Sequence, residues 1–335
     1  MNRPLRWVLL GASDIAASRM IPAMRALGHT IEVVHSSSPE RADSFATANG
    51  IPMATSDLAV AVSTPADAVY VSSYNDLHRS HTLAALAAGK HVLSEKPLAL
   101  SIEDAEEMAT AAEAANLILA VNHHLPHSPV HRVARELVEQ GRIGRVLSAR
   151  IAHAVLLPER LRGWRMEDAR GGGVALDITC HDASVLNPLL GRPSRVSAMG
   201  VRQAPWNEGS ANDSVMTIIE YERNGHPVLA QTHDAFSVEF ETTSFTIHGT
   251  EGSLVGRNAM TQDSTGTLEL VTAGGTESVP LDVGRNLYEI ILDAFAGAAD
   301  GTASPTVTGR QGVETLRVAL AVLESIATGR SVDLN

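Results

Sequence analysis

The sequence predicts an α/β protein in two parts: a domain built on a parallel sheet, followed by an α+β domain with a large, mostly antiparallel sheet. Three observations carry this. From Trp7 to Val121, short apolar runs alternate with helical stretches, the pattern of repeated βαβ units. From Val146 onward, strand-like segments follow one another, with Asn224-Gly225 and Gly274-Gly275 as turn pairs between them. A length of 335 residues suits two cores rather than one. The boundary is expected between residues 122 and 123, giving domains 1–122 and 123–335, with the last helices able to pack back on the first domain.

Composition narrows the function. The formal net charge of −12 argues against a nucleic-acid surface, which needs a basic stripe. No apolar run is long enough to span a membrane, and the short apolar start runs straight into a glycine turn rather than a cleavage site. The single cysteine, Cys180, excludes an intrachain disulfide and fits a reducing cytoplasm.

The first strand, Trp7-Val8-Leu9-Leu10, is followed by Gly11-Ala12-Ser13-Asp14-Ile15-Ala16 and a helical pattern through Met20, Ile21, Met24 and Leu27. Strand, tight turn, helix and a second strand (Ile31–His35) form a dinucleotide-binding unit. The turn has the form G-x-G-x-x-G/A with serine at the second glycine and alanine at the third. Gly11 permits the tight turn, Ser13 lets backbone approach a pyrophosphate, and Ala16 permits close packing. Ala12, Asp14 and Ile15 complete the cradle.

The tip of the second strand carries no acid to bind a ribose 2′-hydroxyl. It reads His35-Ser36-Ser37-Ser38-Pro39-Glu40-Arg41, so Ser36, Ser37 and Arg41 can take a 2′-phosphate, which points to NADPH. A serine-rich helix cap would use the same residues. The strand Ala68–Val71 ends in Ser72-Ser73-Tyr74-Asn75-Asp76-Leu77-His78, where Ser72, Ser73, Asn75 and His78 face the ligand edge of the sheet. The strand Lys90–Leu93 delivers Glu95-Lys96-Pro97, and a later strand delivers Asn122. Lys96 is expected to stabilise charge on a substrate oxygen, and Glu95 to orient it or to hold the cofactor. In the second half, Gly171-Gly172-Gly173 reads as a mobile loop. An α-helix after it places Asp177 and His181 at i and i+4, a carboxylate and an imidazole suited to proton transfer. His123, His124, His127 and His131 are rejected as a metal site, because Pro126 and Pro129 break the helix that would align them.

The stretches Gly11–Ala16, Asn75–His78, Gly89–Leu98, Gly163-Trp164-Arg165, Asp177–Asp182 and His248–Gly252 resemble the glucose–fructose oxidoreductase / inositol dehydrogenase (Gfo/Idh/MocA) family over essentially the whole chain. The resemblance implies a Rossmann domain and a sheet domain. It also implies reduction of a sugar-derived carbonyl with NADPH, oxidation of a polyol being the alternative. It places Trp164 and Arg165 against the cofactor and brings Tyr288 to the site. A non-catalytic dinucleotide-binding regulator is the rival from another class. The open sheet face of the second domain is expected to pair in a homodimer. Arg41→Ala should raise the NADPH dissociation constant about tenfold or more while leaving that of NADH nearly unchanged. Fluorescence titration of both nucleotides reads this.

Overall fold

The computed structural model describes residues 2–167, 171–305 and 307–334. In chain order the elements begin with β1 (Arg6–Leu10), a π-helical turn at Ala16–Met20, α1 (Ile21–Ala26), β2 (Thr30–His35), α2 (Pro39–Asn49) and β3 (Met53–Thr55). Then come α3 (Leu58–Ser63), β4 (Ala68–Val71), α4 (His78–Ala87), β5 (His91–Ser94), α5 (Ile102–Ala114) and β6 (Leu119–Val121). The chain continues with α6 (Pro129–Glu139), β7 (Val146–Ala154), a second π-helical turn at Ala175–Thr179, and α7 (Cys180–Leu190). The remaining strands are β8 (Arg192–Val201), β9 (Ser214–Arg223), β10 (His226–Ala235), β11 (Ser244–Gly249), β12 (Gly252–Arg257), β13 (Thr267–Thr272) and β14 (Gly275–Val279). The chain closes with α8 (Leu287–Ala299), α9 (Gly309–Thr328) and β15 (Val332–Asp333).

Contacts divide the chain into two compact units, Met1–His124 with Asn286–Val313, and Leu125–Arg285 with Glu314–Asn335. The contacts place residues 286–313, which include α8, with the first unit. The reason is packing. Tyr288, Ile291, Leu292 and Phe295 of α8 share one core with Trp7 and Leu9 of β1, and the Trp7 and Phe295 ring centroids lie 5.1 Å apart.

The first unit holds a six-stranded parallel sheet in the order β3-β2-β1-β4-β5-β6. This is a Rossmann sheet, and the order reverses between β1 and β4, where such folds take their ligands. Local chemistry marks the helix starts. The Ser38 side chain caps α2, Asp57 caps α3 and Ser101 caps α5.

The second unit holds a nine-stranded sheet in the order β14-β13-β12-β11-β7-β10-β9-β8-β15. Every pairing is antiparallel except β7 with β10. Asn224 (φ 52°) and Gly225 (φ 76°) make the two-residue β9–β10 hairpin, a turn that needs positive φ at both positions. Inward residues such as Ile151, Ile219, Tyr221 and Phe245 pack with Leu137 of α6, Leu186 of α7 and Val318 of α9. Pro129 does not break a helix. It opens α6 at the first position, where a missing N–H costs nothing, and His131 lies inside that helix.

Both units bury neutral histidines. Desolvation pulls His81 to about 4 and His123 to about 3 in the first unit, and His127 to about 3 and His131 to about 4 in the second. The unfolded chain binds these protons near pH 6.5, whereas the folded chain refuses them until pH 3 to 4. Their contribution is therefore complete above pH 6.5 and is lost as the pH falls toward these depressed values. Thermal unfolding midpoints should drop steadily from pH 6.5 to 4. A flat midpoint across that window would contradict this.

Candidate active site

The ligand edge of the first unit is built around a close approach. Gly11 has φ +129°, and a Cβ there would lie 2.5 Å from the Ser72 carbonyl carbon and 2.6 Å from the Ser73 nitrogen. Only glycine lets the ends of β1 and β4 meet. Ser13 closes the turn: its Oγ lies 2.8 Å from Ser72 Oγ, to which it donates, and accepts the Ala16 N–H at 3.2 Å. The helix that follows opens as the π-helical turn Ala16–Met20. Around the cradle Ala12 is buried, Ile15 half-buried and Asp14 exposed. Arg41 reaches back from α2, and its Nη2 donates to the Ala12 carbonyl at 2.8 Å. This puts a guanidinium on the turn, beside the buried Ser36 and the exposed Ser37.

A second group of side chains gathers around Glu95. Tyr70 Oη and Asn122 Nδ2 each donate to Glu95 Oε1 at 2.6 Å, and the Lys96 N–H approaches Oε2 at 3.4 Å. Burial pushes the Glu95 carboxyl up, and the bonds from Tyr70 and Asn122 pull it back. Burial, then the neighbouring Glu95, raises the Tyr70 phenol, so it stays a donor. Lys96 is half-buried beside this cluster.

His78, a candidate cofactor contact by sequence, is engaged within the protein. Its ring is fully buried, with Nδ1 2.8 Å from the Pro97 carbonyl and Nε2 3.2 Å from the Ser73 carbonyl. It is a strut between two loops. Asn75 is buried in the short turn before α4. Tyr288 is also buried, its ring 5.9 Å from that of His124.

Two orphaned atoms test whether this unit fits a dinucleotide. Ser73 Oγ and Asn122 Oδ1 are buried without a hydrogen-bond partner among the described residues. Both lie at strand ends on the ligand edge, and a polar ligand there would satisfy them. With the Gly11 cradle and the Arg41 guanidinium, the residues present fit a nicotinamide dinucleotide.

In the second unit the glycine run is not a mobile loop. Gly171, Gly172 and Gly173 are buried, and Gly173 N–H donates to the Arg165 carbonyl at 2.7 Å. A Cβ on Gly172 would meet the Arg165 and Glu167 carbonyl oxygens at 2.7 Å, so the glycines serve backbone-to-backbone packing. This packing carries Arg165 to Asp177, with Nε donating to Oδ2 at 3.2 Å. The guanidinium also lies 4.8 Å from the Trp164 ring. Asp177 sits in the π-helical turn and His181 in the first turn of α7, so the pair straddles a junction instead of sharing one α-helical face. Such π turns recur at functional sites. His181 is buried. Sequence reasoning missed Tyr70, which donates to Glu95 from inside β4.

Among the described residues, no group of three or more His, Cys, Asp or Glu side chains could hold a metal ion. Gly11→Ala should cost about 1–3 kcal/mol of stability through backbone strain. It should also abolish saturable nucleotide binding, as read by calorimetry at matched folded fraction.

Comparison with known proteins agrees with this geometry. Residues 5–123 match the model described as "Oxidoreductase family, NAD-binding Rossmann fold", and residues 135–334 match "Oxidoreductase family, C-terminal alpha/beta domain". The chain is 46% identical over 332 residues to the 1,5-anhydro-D-fructose reductase of Ensifer adhaerens, covering 98% of each. It is 28% identical over 330 residues to D-xylose 1-dehydrogenase (NADP(+)) 2 of Haloferax volcanii, covering 98% of this chain and 99% of that one. Its fold matches the crystal structure of aldose-aldose oxidoreductase from Caulobacter crescentus with a TM-score of 0.88 at 24% identity, over 99% of this chain and 100% of that one. The chain belongs to the GFO_IDH_MocA oxidoreductase family, with an NAD-binding Rossmann domain and a C-terminal alpha/beta domain.

Proposed function

We propose that this protein reduces a sugar-derived carbonyl with NADPH, converting 1,5-anhydro-D-fructose to 1,5-anhydro-D-mannitol. The observation that carries the reading is the end-to-end likeness to the Ensifer adhaerens reductase. Arg41 supports the choice of NADPH, because its guanidinium lies at the dinucleotide turn and the end of β2 offers no acid. A bound nicotinamide supplies the hydride. The Gly11–Ile15 turn, Ser36, Ser37, Arg41, Ser72, Ser73, Asn75 and Asn122 hold that cofactor in this reading, and Trp164 and Arg165 flank it.

Lys96 donates a hydrogen bond to the carbonyl oxygen and stabilises the charge that develops there. Glu95, fixed by Tyr70 and Asn122, holds the strand end that presents Lys96. His181 supplies the proton as general acid, and Asp177 binds a neighbouring hydroxyl while Arg165 steadies its carboxylate. Oxidation of a sugar hydroxyl by the same groups is a second reading, favoured by the likeness to the Haloferax D-xylose dehydrogenase. The reading includes a homodimer in the cytoplasm. Exposed Met199, Val201, Met216, Ile218 and Leu229, on adjacent strands β8, β9 and β10, support pairing through that sheet.

A screen of NADPH and NADH oxidation across 1,5-anhydrofructose, other 2-keto sugars, osones and simple diketones tests the proposal. Turnover should be fastest with NADPH and 1,5-anhydrofructose. His181→Ala should lower kcat about 100-fold or more and leave NADPH affinity nearly intact. Tight NADPH binding with no turnover on any carbonyl would favour the non-catalytic regulator instead.

A further inference from the structure

The segment that carries His181 is anchored on both sides by side chains the proposed chemistry does not use. On one side, Thr179 Oγ1 donates to Asp234 Oδ2 at 2.5 Å, and Thr232 Oγ1 approaches the same oxygen at 3.2 Å. On the other, Asp182 Oδ1 lies 2.7 Å from His153 Nδ1. Asp234 and His153 are register partners on the parallel strands β10 and β7. Thr179, Asp182, Thr232 and Asp234 are wholly shut off from solvent.

One oxygen of each carboxyl is left over. Asp182 Oδ2 and Asp234 Oδ1 are buried with no hydrogen-bond partner among the described residues, and the two carboxyl groups lie close enough for each to shift the other's titration. Two ionised carboxylates cannot satisfy each other, because each can only accept. Adjacent like charges in a dry core cannot both persist. A single proton satisfies both orphaned oxygens.

We propose that Asp182 and Asp234 hold one proton between them, and that this acid–carboxylate pair is the positioning element that fixes His181 for proton transfer. The proposal rests on the reading of His181 as proton donor. Asp234 is the acid: its other oxygen already accepts from the two threonines. Asp182 is the carboxylate and accepts from His153. Burial pushes both carboxyls up, Asp182 to about 7 and Asp234 well above the usual carboxylate range, where the neighbouring Asp182 adds to it. The groups facing the pair are His153 from β7, with His131 of α6 behind it, Tyr221 from β9, Thr232 from β10 and Thr179 from the π-helical turn. A carboxyl pair with raised pKa stabilises the fold at low pH, and that contribution is lost as the pH rises through the raised values. The alkaline form therefore releases the turn that holds His181.

Asp234→Asn places an amide N–H where the acid O–H was and keeps an acceptor for both threonines. Asp234→Ala removes both. The measurements are kcat against pH, NADPH affinity, and thermal midpoint against pH for wild type and both variants. Wild type should lose kcat and midpoint on the alkaline side. Asp234→Asn should match wild type near neutrality and lack that alkaline loss. Asp234→Ala should lose about 10- to 100-fold in kcat with NADPH affinity preserved. An Asn variant as impaired as the Ala variant would overturn the proposal, as would an unchanged alkaline limb. If the Ala variant does not fold, infrared spectra decide. A protonated-carboxyl band should be present in wild type at neutral pH and absent in Asp234→Asn, and its absence from wild type would refute the shared proton. Midpoints and infrared bands need no substrate. A pair that behaves as described while His181→Ala keeps full turnover would leave the shared proton standing and remove the catalytic reading.

Discussion

No Cβ fits at the end of β1. The strand stops against the backbone of Ser72 and Ser73, and only a residue with φ +129° and no side chain can stand there. Everything on the ligand edge of the first unit follows from that contact. It brings Ser13 within reach of Ser72, which ties the dinucleotide turn to β4. It sets the carboxyl ends of β1 and β4 side by side at the point where strand order reverses. The neighbouring ends of β5 and β6 then deliver Glu95 and Asn122 into one hydrogen-bonded cluster with Tyr70.

The second unit solves a different problem. It holds a carboxylate and an imidazole across the junction between an irregular π-helical turn and α7. It does so with contacts that flank Asp177 and His181 in sequence. Arg165 grips Asp177 from a backbone crossing that only glycine permits at position 172. Thr179 and Asp182, on either side of His181 and Cys180, are secured to the sheet by Asp234 and His153. The irregular turn is thus over-determined by polar bonds inside an apolar core, where each bond is strong and an unmade one is costly.

Much of this was legible before the fold was seen. Alternating apolar runs and helical patterns gave the parallel sheet, and Asn224-Gly225 marked a hairpin. The Gly11 turn and the strand end at Glu95-Lys96 were readable because local chemistry fixes them. Other features were not legible, because the sequence alone does not show which groups pack against them or where a helix begins. Gly171–Gly173 looked mobile, because no local signal shows that residues 165 and 167 lie against them. His78 looked like a ligand contact, because nothing nearby in sequence announces carbonyl acceptors at Pro97 and Ser73. Pro129 looked like a helix breaker because the start of α6 was not recognised.

The His78 strut carries one more consequence. Burial lowers the basicity of its imidazole, and a neutral ring has one N–H for two carbonyls. The 2.8 Å contact to Pro97 is the natural place for that hydrogen, which leaves a lone pair facing the Ser73 carbonyl at 3.2 Å. The strut is therefore lopsided. It clasps the loop that presents Lys96 and only leans on the loop that presents the serines. The loop that carries Lys96 and Pro97 is thus held by the shorter contact, and the turn at Ser73 by the longer one.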